Sequence, residues 1–430
     1  MPVTLKKNKP TPSIAINQIA LYILLFFGVF DTARLFTPLP PYIGYLKEIC
    51  LFFLFSQLLI KKIEFNSKTL FGEAFLLLFF ISGLCLFRAF FFSNYHSSEL
   101  IIFQVKGLEF FLIFLIFINL HKIVPTTSLD KIIKIYIVLS IVLVVVNFIG
   151  VLIPNPICYK YVGRGDDSMM FTGRMSLGQP AMATFPILLT FILFWMKKER
   201  NTFNNAIIFI SLISIILSTA MTAYAIVGCV IFIKFCADMK SIKGIKNNIF
   251  FIFAMLIIAI IGYRVVISYL SQDASILNFD FLKDRFFKMM GYGDYEDVAR
   301  LMRTQFREII LQKIYSENAF IFGLGPDYYH QIRTDFYAQI PIENTYVDFY
   351  AKSGLLGLAS FGLLIIASLK YFSKNNHFNF HNSQFLLVVG ILTAMLLYSW
   401  TLPIFATYCM AFGFALFFAY FYRENKEKNV

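Results

Sequence analysis

The chain has 430 residues, of which 58% are hydrophobic and only 15% charged, with a mean hydropathy of +0.70. An ordinary soluble domain carries about 25% charged residues, so this composition excludes the soluble globular classes and points to one polytopic membrane domain over residues 1–430. The net charge of +13 does not call for a nucleic-acid partner, because much of the Lys lies beside apolar runs, where cytoplasmic positive charge sets orientation.

Apolar runs of about 20 residues, enough to cross a hydrocarbon core of about 30 Å, recur along the chain. Strand-like alternation is missing, and backbone groups in lipid must bond within their own segment, so the expected fold is all-α. About twelve spans are expected, near 13–30, 42–60, 71–93, 99–120, 132–153, 180–196, 205–219, 221–236, 249–269, 348–370, 385–402 and 404–422. Basic clusters mark the even-to-odd connections: Lys61-Lys62 with Lys68, Lys122 with Lys131, Lys197-Lys198 with Arg200, and Lys240 to Lys246. The "LKKNK" and "RENKEK" termini match them, which puts both termini in the cytoplasm. The first span is an anchor rather than a signal peptide, since Asp31 to Pro41 offers no small-residue cleavage site. The six Cys form no even-numbered external set and no metal spacing, so neither disulfides nor a metal site is expected.

Spans two to four hold charges: Lys47-Glu48, Glu73, Arg88, and Lys106 with Glu109. Charge inside a membrane is costly and marks function unless it is paired or snorkels to the interface. Lys106 and Glu109, three apart, share a helix face. Both readings stay open for each pair.

Two larger external loops are expected, about 154–180 and 270–347. In the first, three Pro and four Gly from Pro154 to Met182 preclude a helix. Arg164 has Asp166-Asp167 as ready partners. Arg174 has no close acidic neighbour and leads into a helix N-terminus, where backbone donors favour an anion.

The second loop carries the stretch around which the chemistry is organised. Arg300, Arg303 and Arg307, spaced by three and four, fall on one face of a helix. A solvated amphipathic helix explains one such Arg; three of them form a set of forks suited to phosphate. With no P-loop or dinucleotide fingerprint, the anion is better matched by a lipid-linked diphosphate than by a nucleotide. "FGLGPDYYH" then turns the chain sharply. Tyr328, Tyr329, Tyr337, Tyr346 and Tyr350 supply aromatic faces for a sugar or an interfacial belt. His330 is the one His of this loop, and Glu343 enters the next helix, where capping and general-base roles are compatible.

On these residues the chain resembles the O-antigen polymerase and O-antigen ligase family of bacterial polysaccharide assembly. The resemblance is sharpest in "GRMSLGQPAMATF", in "ARLMRTQFREIILQKIYSENAFIFGLG" and in "ENTYVDFYAKSGLLGLASFGLL". It implies a membrane-embedded, inverting glycosyltransferase of the C type that needs neither metal nor other cofactor. Its partners would be undecaprenyl-diphosphate-linked glycans and the lipid bilayer, with chain length set by a separate regulator protein. The expected location is the bacterial inner membrane, with the active site facing the periplasm. Carried over, Arg174 and Arg303 match the diphosphate-gripping positions, with Arg300 the register alternative. Glu343 would be the base and His330 its runner-up. Arg164, Arg300, Arg307, Asn344 and Tyr346 would line the substrate. Ligases resemble one another in a His just before the Asn; here Glu343 precedes Asn344, which favours a repeat-unit polymerase over a ligase. The rival from another class is a transporter or flippase. It should show internal duplication and charged or broken helices near the midplane, whereas here no duplication is seen and the most conspicuous charges fall in the external loops.

Overall fold

The computed structural model describes residues 12–30, 45–92, 98–152, 180–197, 201–218, 220–238, 298–328, 344–373 and 382–427. Every regular element among them is helical. In chain order these are α1 (Pro12–Phe30), α2 (Leu46–Ile60), α3 (Leu70–Phe91), α4 (Ser98–Ile118), the one-turn α5 (Leu120–Ile123), α6 (Leu129–Leu152) and α7 (Pro180–Trp195). After them come α8 (Thr202–Ser218), α9 (Met221–Asp238), α10 (Val298–Ser316), α11 (Thr345–Ser373), α12 (Ser383–Thr401) and α13 (Tyr408–Glu427). Each expected span coincides with a helix except 249–269, which lies outside the described residues.

Four helices, Leu70–Phe91, Leu100–Ile118, Thr345–Ser373 and Ser383–Thr401, are long and apolar enough to cross a membrane. Shorter apolar helices run over Ile14–Phe30, Met182–Trp195 and Thr202–Ile216. The outer faces are apolar too: Ile49, Phe80, Phe91, Phe232 and Ile366 are all more than 60% exposed. With these helices so apolar, the chain is compatible with a lipid bilayer as its neighbour.

The centre of the bundle is aromatic. Phe71 and Phe75 of α3, Phe110 and Phe114 of α4, and Phe418 and Tyr422 of α13 sit in mutual ring contact. Such pairs add about 0.5–1.5 kcal/mol each beyond the area they bury. Capping side chains define helix starts: Thr69 accepts from the Gly72 amide at 3.0 Å, and Asn382 from the Gln384 amide at 2.8 Å.

One end of the bundle is basic and tied together. Lys61 Nζ donates to the Lys122 carbonyl at 2.7 Å, Lys122 Nζ to the Lys62 carbonyl at 2.7 Å, and Lys122 pairs with Glu64 at 2.9 Å. Lys426 of α13 reaches Glu64 at 3.8 Å, and Arg423 reaches Asp130 at 3.6 Å. Buried Asn119 fastens the α2–α3 connection here, accepting from the Glu64 amide at 2.8 Å and donating to the Glu64 carbonyl at 3.2 Å. The clusters at Lys61-Lys62 and Lys122 and the basic end of α13 therefore share one end of the molecule.

Candidate functional site

The stretch singled out in the sequence folds as one unit. α10 lays Phe306, Ile310 and Ile314 against Leu324 and Tyr328 of the following turn and Ala351 of α11. The Gly323–Leu324–Gly325 turn docks backbone to backbone on α11. The Leu324 amide donates to the Ala351 carbonyl at 2.7 Å, the Leu355 amide to the Phe320 carbonyl at 2.7 Å, and the Leu356 amide to the Ile321 carbonyl at 3.3 Å.

Such docking requires an interruption in α11. Gly354 has φ 63° and ψ −153°, so the element is two helical pieces, before and after residue 354. That backbone region is essentially reserved for glycine. A Cβ at Gly354 would overlap the Ile321 carbonyl and lie 2.6 Å from the Gly323 amide nitrogen. On the facing chain Gly323, at φ +69°, has equally little room, with the Ser353 and Gly354 nitrogens 2.5 Å from a Cβ placed there. The span expected near 348–370 thus falls within Thr345–Ser373 and carries a break at Gly354. Apolar periodicity does not register the break, because another backbone imposes it.

The first piece of α11 has its own cap. Asn344 Oδ1 accepts from the Tyr346 amide at 2.9 Å and the Val347 amide at 3.1 Å. Asn344, a residue type whose short amide suits that position, thus supplies a side-chain cap; Glu343, considered for that role, lies outside the described residues. Thr345 Oγ1 donates to the Leu402 carbonyl at 2.6 Å and accepts from the Ile404 amide at 3.0 Å, tying the α11 start to the α12–α13 connection.

Inside this piece lies a buried polar cluster. Lys352 Nζ pairs with Asp348 Oδ2 at 2.8 Å, and both residues are under 10% exposed. Tyr328 donates its hydroxyl to Asp348 Oδ1 at 3.1 Å. The Lys352 ammonium also stands 4.3 Å over the Phe103 ring of α4. Cys85 Sγ of α3 and Ser353 Oγ are 3.2 Å apart. Cys85, Asp348, Lys352 and Ser353 border a small cavity of about 30 Å³, lined also by Gln104 and Gly107 of α4 and by Pro403 and Phe405. The cavity is remote from the basic end: Cys85 lies 15 residues beyond Leu70 in α3, roughly 22 Å along the helix axis. Arg88, one turn further on, lies against the turn; a Cβ at Gly325 would sit 2.9 Å from Arg88 Nη2 and 3.3 Å from Asp327 Oδ1.

The expected site residues divide three ways. Arg164, Arg174, His330 and Glu343 lie outside the described residues. Arg300 and Arg303 lie on the described backbone of α10, in register with Arg307 on one face. Arg307, Asn344 and Tyr346 are described fully. The Arg307 guanidinium carbon lies 5.9 Å over the Trp400 ring, Asn344 caps α11, and Tyr346 donates its hydroxyl to the Leu396 carbonyl at 2.9 Å. The last three are thus all engaged with protein. Among the helix charges, Lys47 and Glu48 form an ion pair at 3.9 Å with Lys47 4.6 Å over the Tyr408 ring. Glu109 is fully buried.

Sequence reasoning assigned no role to Asp348, Lys352, Ser353, Cys85 or Gln104. A signal existed: Asp348 and Lys352 are four apart in a helix otherwise apolar, which is ion-pair spacing. Beside the external-loop charges, buried charge also lies within α2, α4 and α11. No protein-family model matches the chain, and no curated protein matches it.

Proposed function

We propose that this chain polymerises lipid-linked oligosaccharide repeat units into a surface polysaccharide, O-antigen or capsule. The observation that carries the proposal is the docked unit of α10, the Gly323–Gly325 turn and the first piece of α11. Two of the three motifs behind the resemblance to O-antigen polymerases lie in that unit. They meet at the end of the bundle opposite the basic cluster, where α11 is long and apolar enough for a bilayer.

The reaction would proceed in one inverting step. The acceptor hydroxyl of one lipid-linked repeat attacks the anomeric carbon of the growing chain. The new C–O bond forms as the anomeric bond to the undecaprenyl diphosphate breaks, and Glu343, or His330 as runner-up, takes the hydroxyl proton. Arg174 and Arg303 neutralise the charge that grows on the departing diphosphate. Arg300 is the register alternative to Arg303, with Arg164, Arg307, Asn344 and Tyr346 around the sugars. No metal or cofactor is required. The active site would face the periplasm from the inner membrane, with both termini cytoplasmic.

The test is complementation of a deletion strain with Arg303→Ala and, separately, Arg174→Ala. Loss of one such charge-stabilising donor costs on the order of 10²–10³ in rate, so polymer should vanish while the protein remains in the membrane. Polymer at the normal level with either variant would remove that residue from the mechanism.

A transporter or flippase for the same lipid-linked glycan is the second reading. It is favoured by the broken α11 with a buried ion pair beside the break, since interrupted helices form midplane sites in transporters.

A further inference from the structure

Gln104 stands apart from the other polar groups around the cavity. It is 4% exposed on α4, it lines the cavity, and its side-chain Nε2 is buried without a hydrogen-bond partner. A buried unmade donor costs about 1–3 kcal/mol, so something should accept from it. Asp348 lines the same cavity, and its carboxylate receives a hydrogen bond at each oxygen, from Tyr328 and from Lys352. A carboxylate has about four lone-pair sites, which leaves capacity on the Asp348 side. A donor and an acceptor lining one cavity match one functional group, a hydroxyl, which accepts through oxygen and donates its proton. The size agrees: a water needs at least about 10–15 Å³ of such volume, and the cavity offers about 30 Å³, room for one or two oxygens but not for a sugar ring.

We infer that the cavity between α3, α4 and the first piece of α11 is a hydroxyl subsite, with Gln104 donating to the oxygen and Asp348 accepting from its proton. Water supplies the hydroxyl at rest, and a single sugar hydroxyl supplies it when glycan is bound; that second source rests on the polymerase reading. Lys352, paired at 2.8 Å, holds Asp348 in place, and the Cys85–Ser353 contact fixes the helix that presents it. Gln104 and Asp348 thereby become determinants of which ligand hydroxyl fits.

The experiment compares the full chain with Gln104→Met, which keeps the side chain's length and removes its donor, by thermal unfolding in lipid nanodiscs. If the cavity holds a hydroxyl, the substitution strands it, and the melting temperature falls by about 2 °C or more. If the cavity is dry, the substitution removes an unmade donor, and the melting temperature stays or rises. A map of the wild-type chain in nanodiscs, with and without n-octyl glucoside, identifies the source. Isolated density between Gln104 and Asp348 means water, and density continuous with a glucose ring means a ligand hydroxyl. Either supports the subsite. An unchanged or raised melting temperature, or no density there in a map that resolves other internal waters, overturns it. Neither readout needs polymer synthesis, so failure of the subsite and failure of the polymerase reading are separately visible.

Discussion

Gly354→Ala separates two forces acting on α11. Alanine favours an unbroken helix by about 1 kcal/mol over glycine, so helix propensity alone predicts a more stable protein. The docked turn predicts the opposite. At φ 63° and ψ −153° a non-glycine residue costs about 1–3 kcal/mol, and its Cβ would overlap the Ile321 carbonyl. Relieving that overlap means withdrawing the turn, which sacrifices the Leu355–Phe320 and Leu324–Ala351 hydrogen bonds, both 2.7 Å, at about 1 kcal/mol each. The sum is a loss of about 3–5 kcal/mol. At about 2 °C per kcal/mol for a long chain, the melting temperature should fall by roughly 6–10 °C. Gly362→Ala is the control, because nothing lies within 4 Å of a Cβ there and it shares the helix; it should be neutral or slightly stabilising. Thermal unfolding of both variants in detergent reads the difference. Equal melting temperatures would mean that the turn is not docked at the break, and the site's construction would have to be abandoned.

Lys352→Met should destabilise by about 3–5 kcal/mol, because it leaves the buried Asp348 carboxylate without its cation. Adding Asp348→Leu to it should recover much of that loss; a single substitution with no effect on the melting temperature would show that the pair carries little. At the basic end, the hydrogen bond from Lys122 chiefly holds the Glu64 carboxyl below its ordinary value of 4.5, against a smaller opposing effect of burial. A lowered folded-state pKa gives stability that is full above the unfolded value and lost as pH falls through the folded one. The stability gap between wild type and Glu64→Gln should therefore be present at neutral pH and close below about pH 4.5. A gap that persists at lower pH would assign the effect to packing instead.

Much of the architecture was legible because lipid leaves the backbone few options. A run of apolar residues near 20 long reads as a helix, and α3, α4, α11 and α12 lie where their runs do. The helix bearing Arg300, Arg303 and Arg307 and the sharp turn after it were also readable, the first from spacing and the second from Gly and Pro. The break at Gly354 was not, since "SGLLGL" is equally good helix interior until a second backbone docks on it. The cap at Asn344 had a cue in residue type that the neighbouring carboxylate obscured. Asp348 and Lys352 advertised themselves by spacing, but their joint burial with Tyr328 depends on a contact across 20 residues of chain. Gln104, a neutral amide in an apolar helix, gave no signal without the cavity beside it.

Polymer synthesis is tested most directly by deleting the gene in its host and examining surface glycan and the lipid-linked pool together. Loss of a repeat-unit polymerase should leave no polymer ladder, with a single repeat still transferred to the surface anchor. A long polymer stranded on undecaprenyl diphosphate beside a bare anchor would mean a ligase and would contradict it, as would an unchanged ladder.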